Sequence, residues 1–351
     1  MKSLLEKINY VYEFLEDDLS KKIFDKKIEW MLLGKQDATI DIMYEIHDKS
    51  RILDFEKNYE KNQAFAIAGA GRFSELTYRA LKHAGYSVVY FLDHDKRKQG
   101  GYKFGVPIIS FVEFCSRNED VVVILDNIKF ANEFFRELQE LGYPQSKIYR
   151  SRNDIVRTSF GNIYFDLPQL KRDDQEVFLD CGCFDGETTL EFVKWCKGKY
   201  EKIYAFEPLE EGLLLMKKAL NGLERLEVIE CGLSECDGET MFTKSYSGLM
   251  GAHVGNVGDE VIKIQQKSID SVLNGRKATF IKMDIEGSEF AALKGAVQTI
   301  KKYKPKLAIS MYHKNEDIFQ IPIFLKEIMP EYRFYLRHYS NKKWDFVLYC
   351  V

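Results

Sequence analysis

The sequence contains no hydrophobic run long enough to cross a bilayer, which takes roughly 20 consecutive apolar residues. Its longest fully apolar stretches, such as Val121 to Leu125, are far shorter. The N-terminal stretch MKSLLEKINYVYEFLEDDL alternates charged with apolar residues, so it lacks the apolar segment of a signal peptide. Together these absences predict a cytoplasmic protein without membrane insertion.

Blocks of like charge are also lacking. Acidic residues number 54 and basic residues 51, which leaves a net charge of -3 at pH 7. A basic arm or an acidic tail would be visible as a run of one sign, and such runs are the usual signature of nucleic-acid or polyanion binding. We therefore expect no nucleic-acid partner.

The seven cysteines do not form a disulfide framework, because they are odd in number and scattered along the chain. Only Cys181 and Cys183 are close in sequence, and no histidine lies near them. Structural zinc usually needs paired C-x-x-C or clusters of His and Cys. The pattern predicts reduced thiols and no metal site.

What the chain does have is an apolar fraction of 45%, which is ample for buried cores, and a length that suggests roughly two to three domains. Residues 1–60 have helical periodicity and form a lead-in. Residues 61–150 and 176–351 each alternate short apolar strands with helices, a pattern typical of parallel α/β sheets. Residues 151–175 are polar, contain a proline and are predicted to be a linker and lead-in.

The stretch FLDCGCFDGETT places two glycines and several polar residues directly after a buried strand. Asp180 ends the strand, Gly182 and Gly186 follow, and a helix begins with Asp185 or Thr188 near its cap. Glycines allow a sharp turn and close approach of a ligand to the backbone, and free N–H groups at a helix start suit a carboxylate. We interpret this turn as a cofactor cradle at the sheet edge rather than as a thiol site.

An acidic residue, Glu207, ends the next strand 25 residues after Gly182. This is near the offset at which a carboxylate accepts hydrogen bonds from ribose hydroxyls in nucleotide-binding βαβ units. The turn reads D-x-G-x-x-x-G, whereas dinucleotide sites use G-x-G-x-x-G against a pyrophosphate. An acid before the glycines suits a cofactor with an amino group and a sulfonium, and S-adenosylmethionine fits that description.

From about residue 177 onward the chain resembles the FkbM family of S-adenosylmethionine-dependent methyltransferases. The shared motifs are FLDCGCFDGETT, AFEP ending at Pro208, CGLSECDG (231–238), SIDSVL and IKMDIEGSEFAALKGA (281–296). The resemblance implies a class I methyltransferase fold, a Rossmann-like α/β sheet of seven strands with the last strands antiparallel. It also implies that the cofactor contacts are Asp180, Gly182, Phe184, Asp185, Gly186, Thr188, Glu207, Pro208, Gly232 and Leu233.

Three residues are candidates for the chemistry itself. Asp284 and Glu286 follow the strand TFIKMD, and His313 ends the next strand, so all three are expected at the same sheet edge as the cofactor. Methyl transfer to an alcohol needs positioning and removal of the hydroxyl proton, which a carboxylate or a histidine can perform. Their structural alternatives are a helix cap, a loop anchor and a hydrogen-bonding core histidine. A divalent cation is not favoured, because no ligand set is recognisable.

A glycine-rich stretch from Lys244 to Glu260 precedes this acidic strand. Its Tyr246, Met250 and His253 are candidates for closing over the acceptor. A plain mobile hairpin is the alternative.

The first unit, 61–150, has Gly69-x-Gly71 after a strand and Asp93 at the end of the next, with Ser74 where a third glycine would stand. It resembles the small Rossmann-type nucleotide-binding domains fused to bacterial sugar-modifying enzymes. Binding of a nucleotide, presentation of a nucleotide-linked sugar and homodimerisation are equally compatible with this pattern.

The sequence thus predicts an enzyme that transfers a methyl group from S-adenosylmethionine to a hydroxyl of a sugar, glycan or related small metabolite. One alternative is a non-catalytic protein whose α/β units bind nucleotides or sugars as a scaffold. A further alternative is an NAD-linked oxidoreductase that uses the glycine turn of the first unit.

Overall fold

The computed structural model describes residues 3–34, 58–125, 130–150, 163–244, 253–254, 260–339 and 345–351. The chain divides into two compact units. One comprises Met1–Leu33, Phe160–Tyr339 and Lys343–Val351, and the other Gly34–Ser159 and Ser340–Lys342. The first helices, which the sequence analysis assigned to a separate lead-in, are therefore grouped with the C-terminal part of the chain.

Two helices open the chain, α1 (Leu4–Glu13) and α2 (Asp18–Leu33). A capping box between Ser3 and Glu6 begins α1, because each residue satisfies a free backbone N–H of the other. Helix α2 packs on the strand at Phe334–His338, where Ser20 accepts a hydrogen bond of 2.9 Å from the backbone N–H of Leu336. These contacts attach α2 to a strand that lies more than 300 residues further along the chain.

The smaller unit contains one sheet with the order β3-β4-β2-β1-β5-β6. All neighbouring strands are parallel except β3 and β4, which form an antiparallel pair. The apolar strands β1 and β5 lie in its centre, as expected for a sheet covered on both faces. Its strands are β1 (Ala64–Ala68), β2 (Ser87–Leu92), β3 (Tyr102–Lys103), β4 (Val106–Ile109), β5 (Val121–Leu125) and β6 (Ile148–Arg150), and its helices α3 (Arg72–His83), α4 (Phe111–Arg117) and α5 (Ala131–Glu140).

The glycine turn of this unit is closed by its own side chains. Asp93 accepts hydrogen bonds from the backbone N–H of Ala70 at 2.8 Å and from Lys98 at 2.9 Å. The hydroxyl of Ser74 donates a hydrogen bond of 2.7 Å to the carbonyl of Gly71. Ser74 occupies the position at which a third glycine would leave room for a pyrophosphate. Nucleotide binding by this unit stays a prediction.

The larger unit is built on a seven-stranded sheet with the order β16-β17-β15-β14-β7-β8-β9. Strand β17 runs antiparallel to both of its neighbours, so β16 is parallel to the rest. The expectation that the last strands are antiparallel therefore holds for β17 alone. The strands are β7 (Glu176–Cys181), β8 (Tyr200–Phe206), β9 (Leu226–Ile229), β14 (Phe280–Met283), β15 (Lys306–Ser310), β16 (Phe334–His338) and β17 (Phe346–Cys350).

A second, four-stranded sheet lies between β9 and β14 in sequence, with the order β10-β13-β11-β12. Its strands are β10 (Gly232–Leu233), β11 (Gly238–Lys244), β12 (His253–Val254) and β13 (Glu260–Lys267). The helices of the larger unit are α6 (Glu187–Trp195), α7 (Glu210–Ala219), α8 (Ile269–Leu273), α9 (Glu289–Lys294), α10 (Val297–Tyr303) and α11 (Asp317–Ile328).

Aromatic side chains fill the core of the larger unit. Phe178 and Phe192 stack with ring centroids 4.0 Å apart, and Phe280 packs edge-on against Phe178. Fully buried rings of this kind fix how α6 lies on β7, which sets the direction in which the intervening turn projects. Within the described part of the chain, every helix is too short or too polar to cross a bilayer.

Candidate active site

A cavity of about 360 Å³ opens at the carboxyl edge of the seven-stranded sheet. The turns that follow β7, β8 and β14 form its walls, and the small sheet contributes a further side. Parallel strands place their carboxyl ends at one edge, which is where open α/β folds bind ligands. The predicted residues that line the cavity are Gly182, Phe184, Asp185, Thr188, Glu207, Pro208, Gly232, Leu233, Asp284 and Glu286.

Asp180 does not line this cavity but lies fully buried beneath it. Its carboxylate forms an ion pair of 3.1 Å with Lys282 and accepts a 2.7 Å hydrogen bond from Thr189. Lys282 also donates a hydrogen bond of 2.7 Å to the carbonyl of Gly182. Burial opposes the ammonium, yet Asp180 and Asp284 raise the pKa of Lys282 above its usual value. Asp180 therefore holds the turn through Lys282.

The turn after β7 requires glycine at Gly182. Its φ is +82°, and a Cβ there would lie 1.9 Å from the carbonyl oxygen of Asp284. The missing side chain lets the β7 turn press against the end of β14, which brings the cradle next to the acidic strand end. Gly186, at φ +85°, packs against Leu220 and does not line the cavity.

Glu207 is nearly buried at the end of β8, and its carboxylate is fixed from both sides. One oxygen accepts from the backbone N–H of Phe184 at 3.0 Å and the other from that of Leu209 at 2.9 Å. Burial raises the pKa of Glu207 above its ordinary value, while these two hydrogen bonds oppose the shift. Each oxygen retains acceptor capacity toward the cavity.

Two tyrosines orient the carboxylate of Asp284. Tyr164 donates to Oδ2 at 2.8 Å, and Tyr312 donates to Oδ1 at 2.9 Å. Burial, and then the charge of Asp284, raise the pKa of both phenols, so they remain protonated donors. Asp284 is thereby held as an oriented carboxylate at the cavity wall.

His313 lies beside this carboxylate but outside the cavity lining. Its Nε2 is 3.2 Å from Glu286 and 3.5 Å from Asp284, and its Nδ1 is 3.0 Å from Glu289. Burial opposes the charged ring, but the neighbouring carboxylates of Glu286 and Glu289 raise the pKa of His313 to about 10. The raised pKa favours a protonated ring in this arrangement, and the catalytic role of His313 stays a prediction.

The cysteines near the turn remain thiols. Cys181 and Cys183 are both buried, and burial raises the pKa of each thiol above its usual value. A raised pKa leaves little thiolate for metal binding or redox chemistry. This agrees with a glycine cradle at this turn.

The sequence analysis did not identify three residues that border the site. Lys282 was detectable in principle, since a lysine inside the apolar strand TFIKMD needs a buried partner. Tyr312 directly precedes His313 at a strand end. Tyr164 comes from the segment interpreted as a linker, and its role depends on tertiary packing that no local pattern encodes.

The predicted closing loop lies largely outside the described residues. Tyr246 and Met250 lie outside the described residues. For His253 only the backbone is described, in β12. The two expectations for this loop stay predictions. At its margin, Thr240 and Phe242 of β11 contribute to the cavity wall.

Comparison with known proteins finds one family match, and it falls almost entirely within the larger unit. Residues 180–343 match the family model of the methyltransferase FkbM domain. The crystal structure of the methyltransferase FkbM from Methylobacillus flagellatus KT aligns with a TM-score of 0.52 at 21% identity. The alignment covers 95% of this chain and 99% of that one, which shows a shared fold of the class I methyltransferase type.

Two further solved structures align with about half of the chain. Precorrin-6y C5,15-methyltransferase from Geobacter metallireducens GS-15 has a TM-score of 0.35 at 9% identity, covering 52% of this chain and 82% of that one. Fibrillarin from Aeropyrum pernix, in complex with natively bound S-adenosyl-L-methionine, has a TM-score of 0.31 at 10% identity, covering 51% and 67%. Among curated proteins, the search finds no match.

Proposed function

We propose that the chain uses S-adenosylmethionine to methylate a hydroxyl of a sugar, glycan or related small metabolite, because residues 180–343 match the family model of the methyltransferase FkbM domain. The observation that carries this proposal is a single cavity shared by the Gly182 turn, Glu207 and Asp284. One part of the cavity suits an adenosyl cofactor, and another presents an oriented carboxylate.

The charge of the cavity supports a sulfonium donor. Acidic side chains line it, among them Asp185, Glu207 and Asp284, whereas Lys282 is the one basic residue among the described residues of the lining. An excess of carboxylates attracts a positively charged sulfur and repels a pyrophosphate. The same field favours a neutral or cationic acceptor over a phosphorylated one.

Glu207 is suited to the ribose of the cofactor. Two backbone N–H groups hold its carboxylate in one orientation, so little side-chain entropy is lost when ligand hydroxyls bind. Hydrogen bonds from two vicinal hydroxyls to one carboxylate are charge-assisted. Pro208 and the β10 residues Gly232 and Leu233 complete this side of the cavity and would face the adenine.

Asp284 is suited to the acceptor hydroxyl. In the reaction the hydroxyl oxygen attacks the methyl carbon in line with the carbon–sulfur bond, which breaks to leave a neutral thioether. The hydroxyl proton passes to a base, and the Asp284 carboxylate is the oriented acceptor at the cavity wall. Tyr164 and Tyr312 then fix the direction of its lone pairs.

The experiment that tests this function uses S-adenosylmethionine with a deuterated methyl group. The full-length protein is incubated with the labelled donor and a small-metabolite and glycan extract, and products are followed by mass spectrometry. We expect one labelled methyl on a hydroxyl-bearing acceptor, together with formation of S-adenosylhomocysteine. If protein that is shown to be folded forms neither product, the proposal is refuted.

We expect Glu207→Gln to lower the affinity for S-adenosylhomocysteine about 10-fold or more, because a charge-assisted acceptor contributes roughly 1.5–3 kcal/mol. Isothermal titration calorimetry measures the effect, and Glu210→Gln, which changes an exposed acid on α7, is the matched control. Since the pKa of Glu207 is raised by burial, wild-type affinity should fall as the pH is lowered toward that pKa. Glu207→Gln should lack this fall. Equal affinity of Glu207→Gln and Glu210→Gln for S-adenosylhomocysteine would contradict the ribose assignment.

A further inference from the structure

Three carboxylates surround the imidazole of His313 at the end of β15. Oxygen atoms of Asp284 and Glu289 and a ring nitrogen of His313 lie within 4.8 Å of one another. Glu286 adds a carboxylate oxygen 3.2 Å from Nε2. Carboxylates gathered around one imidazole are costly to bury unless they are compensated, and Glu289 is fully buried among them.

The buried atoms of this group lack aligned hydrogen-bond partners. His313 is 10% exposed and Glu289 is fully buried. Neither ring nitrogen of His313 makes a directional hydrogen bond, and Oε2 of Glu289 makes none. Buried polar atoms in folded proteins are nearly always satisfied, so an imidazole whose contacts with carboxylates are not aligned, beside a carboxylate oxygen without a hydrogen bond, indicates a missing ligand.

We propose that this group binds a divalent cation, with Nε2 of His313 and the carboxylate of Asp284 as its ligands and Glu286 as a further carboxylate beside the same nitrogen. Two ligands that bind one ion at about 2.1 Å, with an angle of about 90–110°, lie about 3.0–3.5 Å apart. The distances from Nε2 to Glu286 and Asp284, 3.2 and 3.5 Å, fall in that range. The cation compensates the negative charge of the carboxylates around the ring.

Glu289 orients the ring from the opposite side. Its Oε1 lies 3.0 Å from Nδ1 of His313 and accepts a 2.9 Å hydrogen bond from the backbone N–H of Ile285. A carboxylate behind the second ring nitrogen is the usual support of a metal-binding histidine, since it fixes the tautomer and the ring direction. Orienting the ring of His313 therefore accounts for a fully buried glutamate at this position.

The donor set selects among cations. One imidazole nitrogen with carboxylate oxygens suits Mn²⁺, Fe²⁺ or Zn²⁺, whereas Ca²⁺ and Mg²⁺ prefer oxygen ligands throughout. Asp284 and Glu286 line the cavity and His313 lies behind them, so the open coordination positions of the cation face the cavity. Its use there, to bind the acceptor hydroxyl, rests on the proposed function, but its binding does not.

The test is titration of chelator-treated, full-length protein with Mn²⁺, followed by electron paramagnetic resonance of the free ion. We expect one Mn²⁺ per chain, displaced by Zn²⁺ and poorly displaced by Mg²⁺. Glu289→Gln should weaken Mn²⁺ binding about 10–100-fold, as for other outer carboxylates of metal-binding histidines, while retaining an acceptor for Ile285.

The matched control is Glu176→Gln, which changes another fully buried glutamate, one paired with Lys306 at the start of β7. It should bind Mn²⁺ like the wild type. No Mn²⁺ or Zn²⁺ binding by the folded wild type, or equal affinity of the two variants, overturns the cation site. If Glu289→Gln does not fold, Asp284→Asn makes the same comparison. Calorimetry with S-adenosylhomocysteine on the same sample reports separately on the proposed function.

Discussion

Asp284→Asn is expected to lower kcat/KM for methyl transfer about 10²- to 10⁴-fold, the range that a positioned base contributes. The amide keeps the size of the side chain and an oxygen acceptor for one tyrosine, so the cavity should keep its shape. It cannot take up the hydroxyl proton at neutral pH. Initial rates of S-adenosylhomocysteine formation, with an acceptor found by mass spectrometry, measure the loss.

The affinity of Asp284→Asn for S-adenosylhomocysteine is the internal control and should remain within about twofold of the wild type, because Glu207 and the β7 turn would hold the cofactor. Asp173→Asn removes an exposed acid that pairs with Lys306 and should retain full activity. Turnover by Asp284→Asn at the wild-type rate would refute its role in proton removal. A large loss of cofactor affinity would instead assign Asp284 to the donor side.

Gly182→Ala should have the largest effect on stability, a loss of about 4 kcal/mol or more in the free energy of unfolding. Its Cβ would lie 1.9 Å from a backbone oxygen, a clash that only movement of β7 or β14 can relieve. The left-handed conformation at φ +82° adds about 1–2 kcal/mol. Losses above about 4 kcal/mol are exceptional and point to a specific steric cause. Urea unfolding followed by circular dichroism measures the change.

Gly222→Ala provides a matched control for this substitution. Gly222 has a φ of +83°, almost equal to that of Gly182, but no atom lies within 4 Å of a Cβ built there. Gly222→Ala should therefore lower the free energy of unfolding only by the cost of the left-handed conformation, about 1–2 kcal/mol. Equal losses in the two variants would show that the close approach to Asp284 contributes nothing.

Much of the fold followed from local pattern. Short apolar runs that alternate with helices predicted two parallel α/β units, and the structure has them. Periodicity does not encode strand order, and the resemblance implied only the number of strands and the antiparallel direction of the last ones. The direction of the final strands depends on how β17 inserts between β15 and β16. Tertiary packing decides this, and the sequences of the strands do not encode it.

The site was predictable where residues follow directly on strands. Glu207 and Asp284 directly follow β8 and β14, and parallel pairing through β7 brings the ends of those strands to one edge. Tyr164 reaches Asp284 from 120 residues away, and no local signal marks it. Asp180 was expected at the cofactor, but Lys282 is its partner, because a charge at the end of a buried strand requires compensation.

The central claim is that one cavity holds an adenosyl sulfonium donor between Glu207 and Asp284. A crystal structure of the full-length protein with S-adenosylhomocysteine tests it most directly. We predict that the ribose hydroxyls lie within hydrogen-bonding distance of Glu207 and that the sulfur points toward Asp284. Density for the ligand at the Gly69 turn instead, or no ligand at saturating concentration, would contradict the account.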